Sequence, residues 1–316
     1  MKNLTCASFF AGVGGIDIAF EEHGFNTIYA NEIDALACKT FEHNFDIKVD
    51  NRDINVVNPD EIPDFDIMLG GFPCQAFSLA GYRQGFEDEK GRGTLFFELR
   101  RILKKKKPTI IFLENVKNLV GHDNGNTFRI ILEKLEEIGY YVKYQVLNAM
   151  EYGDVPQNRE RIYIIGFKNK SLYQKFEFPK PIELKTSLSN VINYRDKVED
   201  KYYYTSSCSF YDKLVAEMKS QETVYQWRRV YVRENKNNVC PTLTANMGTG
   251  GHNVPLILTN DGIRKLTPKE CFNIQGFPTE YILPTDTANT HLYKQAGNSV
   301  VVPVISRIAA NIKSIL

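Results

Sequence analysis

Gly71-Phe72-Pro73-Cys74-Gln75 places a cysteine directly behind a proline, and Glu114-Asn115-Val116 follows forty residues on. A thiolate is a strong nucleophile even though free cysteine is only a few per cent ionised near neutral pH. A carboxyl group at the mouth of an apolar run loses solvation, which favours its protonated form and lets it donate a proton. Nucleophile and acid together suit the addition of a carbon to an unactivated pyrimidine ring. The plain alternative for Cys74 is a buried structural thiol, the usual fate of free cysteine. Against it stands the Gly-Gly-Phe-Pro turn at a strand end, where function collects. The plain alternative for Glu114 is a helix cap or a salt bridge.

Other residues fit a nucleoside pocket around this pair. Phe10-Ala11-Gly12-Val13-Gly14-Gly15 joins an apolar strand to a helix, and its glycines let a ligand approach the backbone. Asn31-Glu32 ends a second strand, where an acid can bind ribose hydroxyls. Asp53-Ile54 follows a third stretch and could hold an adenine amino group. Singly, Glu32 and Asp53 read as solvated carboxylates; three such blocks at strand ends read as a pocket. The absence of GxGxxG disfavours a pyrophosphate cofactor relative to S-adenosylmethionine. A generic nucleotide-binding dehydrogenase, which predicts nicotinamide binding, does not explain Pro73-Cys74 with Glu114. Gln157-Asn158-Arg159-Glu160-Arg161 is expected to set Arg159 and Arg161 on one face of a strand, able to anchor a phosphate or a base carbonyl. Downstream, Arg228, Arg229, Arg233 and Lys236 are interleaved with Tyr225, Trp227 and Tyr231, a pattern suited to phosphate contacts. The loop Thr242–Asn253 adds polar groups able to read base edges, among them Thr244, Asn246, Thr249 and Gly250.

The elements that position these residues alternate in the first half. Strands are expected at Leu4–Phe10, Thr27–Ala30, Ile67–Leu69, Thr109–Leu113, Tyr141–Leu147 and Arg161–Phe167. Helices are expected from Ile16 to Gly24, from Asp34 through Asn44, and over Leu95–Leu103 and Phe128–Ile138. Lys104–Lys107 sits favourably at the negative end of the third helix, and Pro108 stops it. This alternation predicts a doubly wound α/β sheet covered on both faces. The loop Gln75–Gly93, with four glycines, is expected to close over a substrate. After Phe176–Pro181 the periodicity fades into short polar segments, and Val300–Ile315 is expected to be a last helix that returns to the main sheet.

Composition sets the outer bounds. The 316 residues suffice for one large domain and a smaller one. A net charge of +1 means that any nucleic-acid surface is local. The six cysteines are scattered, with no CxxC knuckle and no zinc spacing of histidines, so neither a metal nor a disulfide framework is expected. Neither a signal peptide nor a membrane span is evident, and the chain reads as cytosolic.

Taken in order, these blocks resemble the cytosine carbon-5 DNA methyltransferases of bacterial restriction–modification systems, over nearly the whole chain. They are Phe10–Gly15, Asn31-Glu32, Asp53-Ile54, Gly71–Gln75, Glu114–Val116, Gln157–Arg161, Arg264–Pro278 and Gly297-Asn298-Ser299-Val300. The resemblance implies that Cys74 attacks carbon 6 of a flipped cytosine and Glu114 protonates ring nitrogen 3. Arg161, helped by Arg159, would hold the base carbonyl and a nearby phosphate. Phe10, Gly12, Gly14, Glu32, Ile33, Asp53, Ile54, Pro73, Leu95, Asn298 and Ser299 would line the S-adenosylmethionine pocket. Gln75, Ser78, Arg228, Arg229, Arg233, Thr244, Asn246, Thr249 and Gly250 would meet double-stranded DNA.

The implied fold is a doubly wound mixed-sheet S-adenosylmethionine-dependent methyltransferase domain, residues 1–182 plus 294–316. A smaller, irregular, mainly β recognition domain would span 183–293, with DNA in the cleft between them. The loop Glu87–Gly93 is slightly longer than in the most compact members. The chain starts almost at its first motif, so no transcription-repressing extension is expected. Residues Tyr225–Pro255 resemble relatives that read C/G palindromes such as CCGG, CCNGG or CCWGG. The expected enzyme is a cytoplasmic monomer paired functionally with a restriction endonuclease. The alternatives are a tRNA cytosine methyltransferase, which the long Thr/Gly/Asn loop disfavours, and an inactive DNA-binding relative, which the intact catalytic set disfavours.

Overall fold

In the computed structural model residues 4–73, 95–249 and 252–316 are described. The elements run β1 (Thr5–Phe9), α1 (Gly15–Glu21), β2 (Asn26–Asn31), α2 (Ala35–Glu42), β3 (Ile67–Gly70), α3 (Leu95–Lys106), β4 (Ile110–Val116), α4 (Asn126–Glu136), β5 (Tyr141–Asn148), α5 (Ala149–Tyr152), β6 (Gln157–Asn158), β7 (Glu160–Phe167), α6 (Lys170–Lys175), α7 (Leu188–Val191) and α8 (Tyr211–Glu217). They continue β8 (Tyr225–Arg228), β9 (Tyr231–Glu234), β10 (Cys240–Pro241), β11 (Leu256–Thr259), β12 (Gly262–Lys265), α9 (Pro268–Asn273), α10 (Asn289–Asn298) and α11 (Val302–Ser314).

Two compact units emerge. The first comprises residues 1–147, 160–179 and 305–316; the second comprises 148–159 and 180–304. The first unit is built on a six-stranded sheet in the order β2-β1-β3-β4-β7-β5. Strands β2, β1, β3 and β4 are parallel, and β7 joins β4 antiparallel, so the sheet is mixed. All four residues of β3 and the first six of β4 are buried, as befits strands covered on both faces. Helix α3 buries Phe96, Leu99, Ile102 and Leu103 at helical spacing. It ends in Lys104–Lys106, which complement the negative helix end, and Lys107 then turns to φ 49° ahead of Pro108.

Local chemistry sets the boundaries. Asp34 caps α2 by accepting from the amides of Leu36 and Ala37. Strand β4 runs beyond the expected Thr109–Leu113 because its antiparallel partner β7 continues the ladder to Val116↔Arg161. Glu114 therefore sits inside a strand, opposite Tyr163, rather than after its end.

The second unit holds the antiparallel sheet β12-β11-β8-β9 and the short parallel pair β10-β6. Its small core joins Leu214, Met218, Tyr225, Val232, Leu256 and Ile263. Beside it lies a buried ion pair. Arg264, wholly buried, donates from both terminal nitrogens to Glu270 at 2.7 and 2.8 Å. Glu270 also accepts from the Thr267 amide, closing a capping box on α9. Among the described residues no helix is long and apolar enough to cross a membrane.

Candidate active site

The register of the main sheet puts the chemical residues on one line. Phe9 pairs with both Asn31 and Gly70, and Gly70 pairs with Leu113. The residues that follow these are Phe10, Glu32, Gly71 and Glu114, so four sequence blocks converge at the carboxyl edge of neighbouring strands. Ligands of open α/β sheets bind at this edge, where the strand order reverses; here the reversal is at β1, between β2 and β3.

Glu114 is almost fully buried, and its Oε1 lies 3.1 Å from Nε of Arg161. Arg161 also donates from Nη1 to the carbonyl of Glu160, so its guanidinium is held from two sides. The other carboxyl oxygen, Oε2, faces Gly71: a Cβ built there would stand 3.8 Å from it. Asn115, next in the strand and buried, donates from Nδ2 to the carbonyl of Phe72 at 2.8 Å. That bond ties the Phe72-Pro73 segment to β4. In the sequence Asn115 stands out only as part of the Glu114–Val116 block; the signal that singles it out is an amide beside an acid at a strand's functional end. Pro73 is exposed. Cys74, Gln75 and Ser78, with the rest of 74–94, lie outside the described residues.

The glycine turn is held by the acid of β2. Phe10 and Gly12 both adopt left-handed backbone, with φ 54° and 57°, and for phenylalanine that conformation costs about 1 kcal/mol or more. Glu32 accepts from the Gly12 amide through Oε2 and from the Asp34 amide through Oε1, both at 2.8 Å. Asn31 reaches across to the carbonyls of Asp50 and Arg52, fixing the chain just before Asp53. Asp53 is exposed and caps a short turn through the Asn55 amide, while Ile54 is buried. Ile33 is 63 % exposed. Gly14 opens α1 with φ 80°, and a Cβ there would overlap the ring of Phe45. Phe10 and Leu95 pack against one apolar cluster that includes Phe72 and Phe96.

Beneath the turn lies Asp17, fully buried, which sequence reasoning passed over. It accepts from the hydroxyls of Ser8 in β1 and Thr27 in β2 at 3.0 and 3.2 Å. Burial pushes its carboxyl up to about 7, against the lowering effect of those two hydroxyls.

In the second unit, a cavity of about 750 Å³ is lined by Trp227, Arg228, Arg233, Thr244, Asn246 and His252, among others. Trp227 stacks on Phe210 with centroids 4.2 Å apart, and His252 meets the same ring edge-on. Arg228 donates to Oε1 of Gln226. Arg229 is exposed, with φ 61°, in the turn between β8 and β9, and Thr249 is exposed outside the cavity lining. Gly250 lies outside the described residues. Asn298 is exposed and Ser299 is nearly buried at the end of α10.

One expectation fails. Arg159 and Arg161 do not share one strand face. Arg159 precedes β7, and its backbone is engaged by Asn148 and Ala149. Its side chain is 2 % exposed and donates to the carbonyls of Leu243, Gly297 and Ser299. Pairing between β7 and β4 begins at Arg161, which meets Glu114.

The family model of C-5 cytosine-specific DNA methylases matches residues 4–314. The chain belongs to that family. This DNA cytosine-5 methyltransferase is 62 % identical over 316 residues to the Type II methyltransferase M.Bsp6I of Bacillus sp. (strain RFL6), covering 99 % of this chain and 100 % of the relative. It is 41 % identical to the Type II methyltransferase M.HhaI of Haemophilus parahaemolyticus, covering 100 % of this chain and 97 % of that one. In fold, the methyltransferase is similar to a DNMT2 mutant of Spodoptera frugiperda, with a TM-score of 0.74 at 22 % identity over 98 % of this chain and 99 % of that one. It is equally similar to the methyltransferase EhMeth of Entamoeba histolytica, with a TM-score of 0.74 at 19 % identity over 99 % and 98 % of the two chains. Among the described residues no cluster of His, Cys, Asp or Glu is arranged to hold a metal ion.

Proposed function

We propose that the protein methylates carbon 5 of a flipped cytosine within a short, C/G-rich palindrome in double-stranded DNA, using S-adenosylmethionine. The observation that carries this reading is the Glu114–Arg161 pair at the carboxyl edge, with the Glu114 carboxyl turned toward Gly71, three residues before Cys74.

In this mechanism the Cys74 thiolate forms a bond to carbon 6, and Glu114 delivers a proton to ring nitrogen 3. Carbon 5 thereby gains enamine character. S-adenosylmethionine supplies an electrophilic sulfonium methyl. Once carbon 5 has taken that methyl, loss of its proton to solvent and return of the nitrogen-3 proton to Glu114 expel Cys74 as thiolate and restore the ring. Arg161 orients the Glu114 carboxyl through Oε1 and stands beside the base carbonyl, while Asn115 holds the Phe72-Pro73 segment from which Cys74 departs. Taking the base out of the duplex costs a few kcal/mol of stacking and pairing.

The turn residues fit the cofactor. Glu32 presents a carboxylate that accepts from two backbone amides, suited to ribose hydroxyls, and a Cβ on Gly12 would come no nearer than 4.0 Å to the Phe10 carbonyl oxygen, so the backbone there is open to approach. We assign Phe10, Gly12, Gly14, Glu32, Ile33, Asp53, Ile54, Pro73, Leu95, Asn298 and Ser299 to it. Catalysis belongs to residues 1–182 plus 294–316 and recognition to 183–293, although packing draws 148–159, 180–182 and 294–304 into the second compact unit. Arg228, Arg229, Arg233, Thr244, Asn246 and Thr249, with Gln75, Ser78 and Gly250, are assigned to DNA. The protein acts as a cytoplasmic monomer, protecting host DNA from a functionally paired restriction endonuclease.

Bisulfite sequencing of plasmid DNA treated with the protein and S-adenosylmethionine tests this directly. Protected cytosines at one short palindrome are expected. A preparation that binds the cofactor yet protects no cytosine would overturn the reading and send the search to tRNA.

A further inference from the structure

Arg159 is a buried cation that donates to main-chain carbonyls drawn from two separate blocks of the second unit. Nη1 donates to the carbonyl of Leu243 at 2.7 Å; Nη2 donates to that of Gly297 at 3.2 Å and to that of Ser299. Leu243 stands one residue before the polar loop Thr244–Thr249. Gly297 and Ser299 flank Asn298 at the C-terminal end of α10. Helix ends leave carbonyls without intrahelical partners and carry partial negative charge, so a guanidinium there is favourably placed.

Two buried glutamines reinforce the bracket. Gln157 accepts from the Leu243 amide and donates to the Ile274 carbonyl, and Gln275 donates to the Ala296 carbonyl. The loop and the helix also approach closely through their backbones. A Cβ on Gly297 would lie 2.1 Å from the carbonyl carbon of Thr244, and one on Gly248 would lie 2.1 Å from the carbonyl oxygen of Thr290. Backbone rests on backbone at both ends of the short turn Ala245–Gly248, so the loop cannot shift without either moving α10 or breaking the bonds of Arg159.

We infer that Arg159 is a positioning residue that links DNA binding to cofactor binding: it pins the recognition loop to the Gly297-Asn298-Ser299 block, so that ordering either one orders the other. This rests on the proposed function for the assignment of Thr244–Thr249 to DNA and of Asn298-Ser299 to S-adenosylmethionine. It replaces a direct phosphate contact, because a guanidinium that is 2 % exposed and bonded to three carbonyls has no face to offer a phosphate. Linkage of this kind is reciprocal: if the cofactor tightens DNA by some factor, DNA tightens the cofactor equally.

The test is a binding square. The affinity for a fluorescent duplex carrying the methylated site is measured with and without saturating S-adenosylhomocysteine, in the full chain and in Arg159→Lys. The unsubstituted protein is expected to bind the duplex about tenfold more tightly with S-adenosylhomocysteine, inside the 5- to 150-fold range usual for coupled sites. Lysine keeps the charge but cannot span three carbonyls with a planar fork, so in Arg159→Lys the factor should fall to about twofold or less. The salt slope of DNA binding should stay the same. A residue that merely supported the fold would weaken both ligands and leave the factor intact; a residue on a phosphate would lower the slope by about one. An unchanged factor, or a lowered slope, overturns the inference.

Should Arg159→Lys fail to fold, hydrogen exchange on the unsubstituted protein decides. S-adenosylhomocysteine alone is expected to slow exchange of the Thr244–Thr249 amides, and unaltered exchange overturns the inference. A protein that bound neither ligand would instead refute the proposed function; one that bound both without mutual effect would refute only the linkage.

Discussion

Replacing Asp17 by asparagine should stabilise the protein at neutral and alkaline pH and lose that advantage in acid. The carboxyl is fully buried, and its folded value is raised from 3.8 to about 7, with burial the largest cause. The neighbouring Glu21 adds to the rise, while the hydroxyls of Ser8 and Thr27 oppose it. A carboxyl whose folded value lies above its unfolded one binds its proton more tightly in the native state. Its contribution to stability is therefore fully present below pH 3.8 and is lost as pH rises through 7. A rise of about three units at 1.36 kcal/mol per unit amounts to about 4 kcal/mol lost by pH 8. Between pH 5 and pH 7.5 the loss should grow by about 2–3 kcal/mol, which is a large part of the margin of an ordinary domain. Asparagine is close in shape and can still meet both hydroxyls, with one bond reversed in direction. Urea unfolding of the two proteins across pH 5–8.5 gives the difference in free energy at each pH. A difference that stays flat across this range would refute the reasoning, because it would mean that Asp17 does not change protonation inside the fold.

Other expectations follow from particular contacts. Glu270→Gln should destabilise the second unit by about 3–5 kcal/mol, because it leaves the buried Arg264 guanidinium without its counter-charge; an unfolding midpoint in urea unchanged from the parent would contradict this. Cys74→Ser should abolish methyl transfer while S-adenosylhomocysteine still binds in calorimetry, and retained turnover would remove Cys74 from the role of nucleophile. Joint replacement of Arg228 and Arg229 by alanine should weaken duplex binding and flatten its dependence on salt; an unchanged slope would mean that neither arginine meets phosphate. Asn115→Ala should cost about 1–3 kcal/mol of stability through the unsatisfied Phe72 carbonyl, read from denaturant unfolding; a cost near zero would mean that water replaces the amide.

Much of the first unit was legible because parallel strands covered on both faces write themselves as short apolar runs. Ile67–Leu69 and Thr109–Leu113 needed no tertiary information to be seen, and Asp34 announced its helix by the capping chemistry of an acid at a helix start. The residues missed depend on partners distant in sequence. Strand β4 extends to Val116 only because β7 pairs with it, and nothing in Glu114-Asn115-Val116 itself marks the extra turn of ladder. Nothing in the sequence marks helix α10: Asn289-Thr290-His291 carries no capping side-chain bond, and its neighbours, the turn Ala245–Gly248, Leu266 and Gln275, are distant in sequence. The basic cluster around Arg228 gave its charge in sequence but not its β8–β9 hairpin, whose strands are only four residues each and of which β9 is mostly exposed.

The two arginines of Gln157–Arg161 illustrate how a short motif can serve two purposes. Spacing of two on an extended chain predicts one shared face, yet the sheet ladder begins between them, and only the residue inside it keeps that alternation. Arg161, inside, meets the acid of β4 at 3.1 Å. Arg159, outside, belongs to the second unit and collects carbonyls there from Leu243, Gly297 and Ser299. A guanidinium suits both tasks, since its planar fork can sit against a carboxylate or bridge several carbonyls. The substitution that separates the tasks is therefore lysine at each position in turn. At Arg161, lysine should lower kcat by displacing the Glu114 carboxyl; at Arg159, it should leave the chemical step largely intact and loosen the dependence of one ligand on the other. Single-turnover rates with DNA and S-adenosylmethionine both saturating distinguish the two, and equal losses at both positions would mean that the motif acts as one unit after all.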